Sequence, residues 1–452
     1  MNFQNKLLSR LNSAFIKDTL KLSSSSVLTY LLPLVVTPIL SRLYIPESFG
    51  EWGLFSSLLN IINIGIFFGY ENAIVKSDNR KEVQNLVVLC FIIVSFVLII
   101  VALIFLCGNY CGIPFFIGFP SYKLLILCLA VTAFQTILFN LGNWFERYSL
   151  LAFSSIVLGL GQAIFRIILG LIDIDSNGLI IGTIIGQTLA AISLLKLLGK
   201  NFLFKEGIHV SSVFLKQTAL TFKNFPLYDA PASILAFAAF NLPIVVLSIY
   251  FSKAEIGCYS MVIQFLLMPI SFVGSAMSRV YYRNLSSLNY NDSSHLRPVT
   301  IKVLKIVSLI SVLPTIFLAF GGDKLLVLFL GEKWVTAGNI ALCLAIWSFP
   351  TILTQPLLPL FRILNKQHSL FRYNLLYFIL GIGSIIIFTK ITSNLYFILL
   401  IYALFCAFAK LLLFKKILKL SQIRLSELDT KILAFWLVSI IALFIRCFII
   451  FN

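Results

Sequence analysis

A few charged side chains lie inside long apolar stretches of this sequence. Arg166 lies deep in one stretch and Lys410 lies in another, whereas Arg147 and Arg279 lie nearer the ends of theirs. A charge at the bilayer centre costs at least ~2.5–3.5 kcal/mol, so it usually faces a cavity or a partner. Arginine binds phosphate through paired hydrogen bonds. These cations therefore predict a site for a phosphate or diphosphate, although Arg147 and Arg279 could instead extend to the membrane surface.

Two acids and four prolines add further candidate functions. Glu71 and Asp229 lie near the ends of apolar stretches, where they could bind a coupling ion or form structural ion pairs. Proline kinks a helix and frees a carbonyl group. Kinks in corresponding helices of two repeats would be typical of a gated pathway, and static kinks are the alternative. The candidate gating kinks are Pro33, Pro38, Pro243 and Pro269.

The composition identifies the elements that must position these residues. Of 452 residues, 60% are hydrophobic and 12% are charged, with a mean hydropathy of +1.00. Soluble enzymes and disordered proteins are far more polar, so the sequence predicts an all-α polytopic membrane protein. We predict apolar segments at 22–42, 50–72, 84–107, 122–145, 150–172, 177–197, 228–250, 257–281, 301–320, 337–361, 369–389, 394–414 and 432–450.

The charge distribution predicts the orientation. The sequence has 35 Lys and Arg residues against 17 Asp and Glu residues, a net charge of +18. With the N-terminus in the cytoplasm, most of the basic residues fall in cytoplasmic loops, as the positive-inside rule requires. The basic excess therefore indicates membrane topology and not nucleic-acid binding. We expect a multi-pass protein of the bacterial inner membrane with a cytoplasmic N-terminus.

The segments divide into two sets of six. The pair Leu40-Ser41 recurs 207 residues later as Leu247-Ser248, and each copy precedes a glycine followed by an aromatic residue. Both copies lie at the first outer hairpin of their set, which favours a duplicated fold with two lobes. The predicted organisation is an amphipathic lead-in (1–21), an N-terminal lobe (22–197), a cytoplasmic linker (198–227), a C-terminal lobe (228–414), and a basic linker with one extra helix (415–452).

The sequence lacks the common signatures of enzymes. It has no G-x-x-x-x-G-K-[ST] loop, no H-E-x-x-H zinc motif and no G-x-S-x-G nucleophile elbow. Its three histidines, His209, His295 and His368, are far apart in predicted loops, so no metal site is predicted. We therefore predict a secondary transporter and not an enzyme.

Three motifs in order resemble those of polysaccharide flippases. They are the hairpin from Leu40 to Gly50, the run Asn241-Leu242-Pro243, and the run from Leu330 to Trp334. The resemblance is to the O-antigen (Wzx-type) flippases of the multidrug/oligosaccharidyl-lipid/polysaccharide (MOP) exporter superfamily. It implies two six-helix, MATE-like lobes around a central cationic cavity. It also implies movement of an undecaprenyl-diphosphate-linked oligosaccharide to the periplasmic leaflet by alternating access, in lipopolysaccharide or related polysaccharide biosynthesis.

The resemblance also implies partners and an energy source. The expected partners are the lipid-linked oligosaccharide, membrane lipids, a polysaccharide polymerase and a chain-length regulator. No cofactor is expected, and an H+ or Na+ gradient is the candidate energy source. The thirteenth segment departs from the twelve crossings common in this branch. It would place the C-terminus outside, unless 432–450 lies on the membrane or one predicted segment is wrong.

Two other functions stay open at the level of sequence. A drug or metabolite exporter of the same superfamily would favour acids in the membrane, and the basic candidates outnumber the acids here. A membrane polysaccharide polymerase would need reactive groups in outer loops, which are predicted to be short and to contain no histidine. Both alternatives are weaker predictions than the flippase.

Overall fold

A computed structural model describes most of the chain. The described residues are 32–33, 35–77, 79–119, 121–198, 212–286, 293–424, 427 and 430–451. The predicted lead-in (1–21) and half of the first apolar segment lie outside these residues. Each predicted apolar segment from residue 50 onward overlaps at least one helix, which confirms that part of the prediction.

Within the described ranges, the regular secondary structure is entirely helical. The sequence favours this, because long runs of Leu, Ile, Phe and Ala satisfy their backbone groups internally only as helices when lipid surrounds them. The helices are α1 (35–43), α2 (Pro46–Gly65), α3 (Tyr70–Lys76), α4 (Arg80–Tyr110), α5 (Pro114–Ile117), α6 (Tyr122–Trp144), α7 (Tyr148–Leu171), α8 (Asp175–Leu198), α9 (Ser212–Thr221), α10 (Ala230–Leu247), α11 (Lys253–Ser286), α12 (Ser293–Phe317), α13 (Asp323–Leu330), α14 (Val335–Thr354), α15 (Pro359–Ile363), α16 (Gln367–Phe388), α17 (Leu395–Leu420) and α18 (Thr430–Phe451).

The described helices are those of a multi-pass membrane protein. Nine stretches, each one helix or several consecutive helices, are long and apolar enough to cross a bilayer. A tenth is added if the bent pair α2 and α3 forms one span. On α4, large apolar side chains such as Phe96, Ile99 and Leu103 are exposed, as lipid contact requires. This count covers the described residues alone, so thirteen crossings stays a prediction. Whether α18 spans the membrane also stays open, since its Trp436–Ile449 portion is a shorter apolar stretch.

Three predicted segments are interrupted. The segment predicted at 50–72 is divided between α2 and α3, which are bent by 54°. The backbone at the bend is left-handed, with φ of 51° at Phe68 and 82° at Gly69. A second break follows α12, where Gly321 has φ of 115°. A third separates α14 from α15 at the 3-10 turn Gln355–Leu357. Periodic hydrophobicity continues through the first two breaks, so the sequence pattern alone did not predict them, whereas the third break includes Pro356.

The predicted linker is partly helical. Its described portion contains α9, followed by a π-helical turn at Phe225–Asp229 that runs into α10. The Tyr70 hydroxyl donates a hydrogen bond to the Ala219 carbonyl oxygen at 3.1 Å, which attaches α9 to α3. The segment between the two sets of helices is therefore packed onto the first set.

The chain forms two compact units. The first comprises Met1–Tyr44 and Phe55–Phe237, and the second comprises Ile45–Leu54 and Ala238–Asn452. Leu138, Leu151 and Leu194 form a buried cluster in the first unit, where α6, α7 and α8 meet. In the second unit α14 is the central helix, and nearly all of its side chains are buried. One boundary lies within α2 and another within α10, so neither coincides with the edge of a predicted lobe.

Candidate functional site

The position of Arg166 depends on a row of glycines on the neighbouring helix. Gly178, Gly182 and Gly186 recur every four residues along one face of α8. A Cβ on Gly182 would lie 2.7 Å from Arg166 Cγ and 2.9 Å from Arg166 N. One on Gly186 would lie 2.7 Å from Gln162 N. Only glycine allows α7 to pack this closely against α8. The i, i+4 spacing of these small residues is visible in the sequence, but the row was not predicted to pack against Arg166.

Three hydrogen bonds fix the surroundings of Arg166. Its Nη2 donates to Thr183 Oγ1 at 2.8 Å, and the Thr183 hydroxyl donates in turn to the Leu179 carbonyl at 2.7 Å. The Tyr44 hydroxyl donates to the Arg166 carbonyl oxygen at 2.7 Å. The Arg166 side chain is partly buried, and its guanidinium is positioned by α8 within the first unit.

Tyr44 fills the space that two glycines leave between α7 and α8. A Cβ on Gly170 would lie 2.7 Å from Tyr44 Cε2, and one on Gly178 would lie 2.5 Å from the hydroxyl oxygen. Tyr44 follows α1 and lies in the turn before α2. Burial raises the pKa of its phenol to about 12, and the nearby Arg166 partly opposes this shift. The phenol is therefore a hydrogen-bond donor at any physiological pH.

Lys410 is the buried cation of the second unit. It lies on α17 with 5% of its surface exposed. Its Nζ lies 4.7 Å from the centroid of the Tyr377 ring, a cation-π contact. The Tyr377 hydroxyl accepts a hydrogen bond from Trp347 Nε1 at 3.1 Å. The Tyr377 ring thus contacts a charge that the sequence placed inside an apolar stretch.

The other two predicted cations lie in different places. Arg147 is exposed at the start of α7, and Arg279 is exposed on α11. Arg147 and Arg166 lie at opposite ends of α7, about 28 Å apart at 1.5 Å per residue. Within the first unit these two arginines therefore do not form one cluster.

Glu71 and Asp229 are brought to the same end of the first unit. Helix α3 packs against the turn Phe225–Asp229, and a Cβ on Gly69 would lie 3.3 Å from the Phe225 carbonyl oxygen. One oxygen of Glu71 accepts a hydrogen bond from the Asn72 side chain at 3.1 Å. The other, Oε2, is buried without a hydrogen-bond partner among the described residues. Asp229 is exposed and close enough to repel Glu71 electrostatically.

Three of the candidate gating prolines, Pro38, Pro243 and Pro269, lie within helices that continue through them. Pro243 is buried inside α10, and α11 runs without interruption through Pro269. In the first predicted segment, Thr37 Oγ1 donates to the Pro33 carbonyl at 2.5 Å, and Ser41 Oγ donates to the Pro38 carbonyl at 3.1 Å. In the described part of the chain, two breaks lie at Gly69 and Gly321, and a third lies at the turn Gln355–Leu357, which includes Pro356.

A partly buried ion pair in the second unit was not predicted. Arg446 Nη2 on α18 donates to Asp323 Oδ2 at 2.7 Å. Its Nη1 donates to the Leu318 carbonyl at 3.0 Å, at the break that follows α12. Arg446 lies inside the last predicted apolar segment, 432–450. The paired glycines Gly321-Gly322 were the available signal for a break in need of a donor.

The fold is similar to those of several solved transporters. It matches the lipid II flippase MurJ in an inward closed conformation at a TM-score of 0.69 and 14% identity, covering 94% of this chain and 91% of that one. It matches an inward-facing MATE-family multidrug transporter of the MOP superfamily at a TM-score of 0.61 and 15% identity. This match covers 87% of this chain and 96% of that transporter. A MOP superfamily transporter from Pyrococcus furiosus matches at a TM-score of 0.60 and 14% identity. This match covers 90% of this chain and 95% of that transporter.

The helices and these likenesses define a multi-pass membrane protein with the fold of the MOP superfamily. The profile of a family described as "Polysaccharide biosynthesis protein" matches residues 39–339. The match covers more than half of the chain, so the chain belongs to this polysaccharide biosynthesis family. Among curated proteins, no sequence matches it.

Proposed function

We propose that this protein is a flippase for an undecaprenyl-diphosphate-linked oligosaccharide, an O-antigen or similar repeat unit. It moves this lipid from the cytoplasmic to the periplasmic leaflet of the inner membrane by alternating access. The supporting observation is the family match over residues 39–339 in a chain with a MOP transporter fold. A polysaccharide family with a transporter fold needs a saccharide cargo that crosses the membrane, and a lipid-linked repeat unit is such a cargo.

Arg166 is the proposed main contact for the diphosphate. Its guanidinium is held by Thr183 on a tightly packed helix pair, so little conformational freedom is lost when it binds an anion. Lys410 is the second candidate, because its burial gives its charge a stronger field than a solvated lysine has. Arg147 and Arg279 are exposed and would serve as outer contacts for acidic sugars.

Glu71 and Asp229 are the proposed coupling acids. A buried carboxylate oxygen without a hydrogen-bond partner, close to a second acid, suits transient binding of H+ or Na+. Pro33, Pro38, Pro243 and Pro269 are proposed to ease helix bending during gating. A polymerase and a chain-length regulator would use the flipped product.

A drug or metabolite exporter is the second candidate function. The observation in its favour is the same buried Glu71 oxygen, since membrane-embedded acids suit cationic substrates. An exporter would leave surface polysaccharide unchanged on deletion and would change drug sensitivity instead. If the protein is a flippase, deletion should instead reduce surface polysaccharide and leave drug sensitivity unchanged.

The test follows lipid-linked repeat units labelled in their sugar in inverted and right-side-out vesicles. Deletion should leave completed units on the cytoplasmic leaflet, and the intact protein should reverse this. Arg166→Ala should fail to reverse it at normal protein levels, and Arg166→Lys should restore part of the activity. Arg372→Ala removes an exposed charge on α16 and is the matched control. If single units reach the periplasmic leaflet in the deletion strain but stay unpolymerised, the protein would instead be a polymerase.

A further inference from the structure

The first unit contains a polar cavity whose lining includes none of the proposed cargo-binding cations. It lies between the start of α4 and helix α9 and has a volume of about 610 Å³. Arg80, Lys81 and Asn85 line it from α4, and Phe214, Gln217 and Thr218 line it from α9. All of these residues belong to the first compact unit. A cavity of this size can hold a lipid headgroup.

The lining of this cavity suits an anion. Arg80 and Lys81 provide two cationic side chains, and both are exposed. Asn85 and Thr218 are 8% and 6% exposed, so the lining also includes two buried polar residues. The lining contains one acid, Glu82, whose Oε2 accepts a hydrogen bond from the Ser77 hydroxyl at 2.7 Å. The net charge of the lining is therefore positive, which favours a phosphate over a neutral sugar alone.

Helix α9 also carries exposed apolar side chains. Val213, Phe214 and Leu220 are 70%, 57% and 59% exposed, and Phe214 also lines the cavity. A soluble anion gains nothing from exposed apolar side chains. A lipid does, because these side chains can enter the boundary between headgroups and acyl chains while the cations stay at headgroup level.

We propose that this cavity binds the phosphate-bearing headgroup of a membrane lipid. Arg80 and Lys81 contact the phosphate, Gln217 and Thr218 contact the polar remainder, and Phe214 packs beside the first carbons of the chains. The phosphate could come from an acidic phospholipid of the surrounding membrane or from the lipid-linked diphosphate cargo. Only the second source rests on the proposed function.

The experiment measures lipid retention by native mass spectrometry. Delipidated protein in detergent is titrated with phosphatidylglycerol and, separately, with phosphatidylcholine. We expect preferential retention of phosphatidylglycerol. The double variant Arg80→Gln/Lys81→Gln should bind it about tenfold more weakly, since each cation near a lipid phosphate contributes severalfold in affinity. Asn79 keeps its cap on the Lys81 backbone N–H in this variant, so α4 should still fold.

A matched control separates the cavity from general surface charge. Lys216→Gln/Lys223→Gln removes two exposed charges from the same region outside the lining and should change retention less than twofold. Equal losses in both double variants would overturn the proposal, as would equal retention of the two phospholipids by the wild type.

Competition with undecaprenyl diphosphate then identifies the source of the phosphate. If undecaprenyl diphosphate displaces phosphatidylglycerol at a concentration below that of the phospholipid, the cavity is assigned to the cargo. If it does not displace phosphatidylglycerol, the cavity is assigned to membrane phospholipid. A wild-type protein that retains phosphatidylglycerol but moves no lipid-linked oligosaccharide in vesicles would refute the proposed function alone.

Discussion

Gly50 and Gly257 lie against each other where α2 and α11 cross. A Cβ on Gly50 would overlap the Lys253 carbonyl and lie 3.2 Å from Gly257 N, and one on Gly257 would overlap the Pro46 carbonyl and lie 2.8 Å from Gly50 N. The two contacts are reciprocal, because each glycine meets the residue four positions before the other. The offset of 207 between them is that of the sequence repeat. The repeat therefore has a counterpart in the packing of the second unit.

Substituting either glycine at this crossing should destabilise the protein. Gly50→Ala or Gly257→Ala places a methyl group against backbone, which cannot move aside as a side chain can, so we expect a loss of about 3 kcal/mol. Thermal unfolding in detergent measures it. Gly383→Ala is the control, because a Cβ there meets nothing within 4 Å and should be neutral or slightly stabilising. Equal effects of all three substitutions would contradict this account of the crossing.

Removing only one partner of the Asp323–Arg446 pair should destabilise the protein. Asp323 is 8% exposed, and Arg446 also bonds the carbonyl groups at the helix break. Arg446→Leu leaves a buried carboxylate and those carbonyls without their donor, so we expect a loss on the order of 3 kcal/mol. Asp323→Leu/Arg446→Leu should recover part of it, because no buried charge remains. A double-mutant cycle measures the coupling, and strictly additive losses would show that the pair is energetically unimportant.

The exposed pair Arg297–Glu427 should respond to pH. Arg297 lies at the start of α12, and its Nη2 donates at 2.7 Å to Oε2 of Glu427, which lies between α17 and α18. This hydrogen bond, with the Arg424 backbone N–H, lowers the pKa of Glu427 below its ordinary 4.5. Because the pKa is lower in the folded state, the pair stabilises the protein at pH values above the unfolded-state pKa. This stabilisation is lost as the pH falls through the folded-state pKa.

The measurement compares melting temperatures of the wild type and Glu427→Gln from about pH 6 to about pH 3. The wild type should be the more stable of the two at pH 6, and the difference should vanish in acid. The effect should be small, because both partners are partly exposed. A difference that grows in acid would contradict the assigned direction of the shift.

The sequence predicted the helices better than the contacts between them. Long apolar runs located the helices from residue 50 onward, because lipid-facing helices need little besides length and hydrophobicity. It did not predict the breaks at Gly69 and Gly321, where one residue changes the chain direction without changing hydropathy. It singled out Arg166 from the cost of its charge, but its partner Thr183 depends on how α7 packs against α8. Asp323 lies just beyond a predicted segment, and only the folded chain brings Arg446 to it.

The hydrogen bond from Arg166 to Thr183 can be tested without removing the charge. Thr183→Val has nearly the same shape, so the α7–α8 packing should persist, but the guanidinium loses the acceptor that orients it. We expect unchanged expression, a loss of about 1 kcal/mol in stability and a several-fold slower transfer of lipid-linked oligosaccharide in vesicles.

Thr188→Val on the same helix is the matched control. Like Thr183, Thr188 donates to the carbonyl four residues earlier, here Ile184 at 2.8 Å, and no hydrogen bond joins it to Arg166. Both valine variants lose this backbone bond, and only Thr183→Val loses the contact with the guanidinium. Equal transfer rates in the two variants would mean that the orientation of Arg166 does not limit transport. A lower rate in Thr183→Val alone would place Arg166 on the path of the diphosphate.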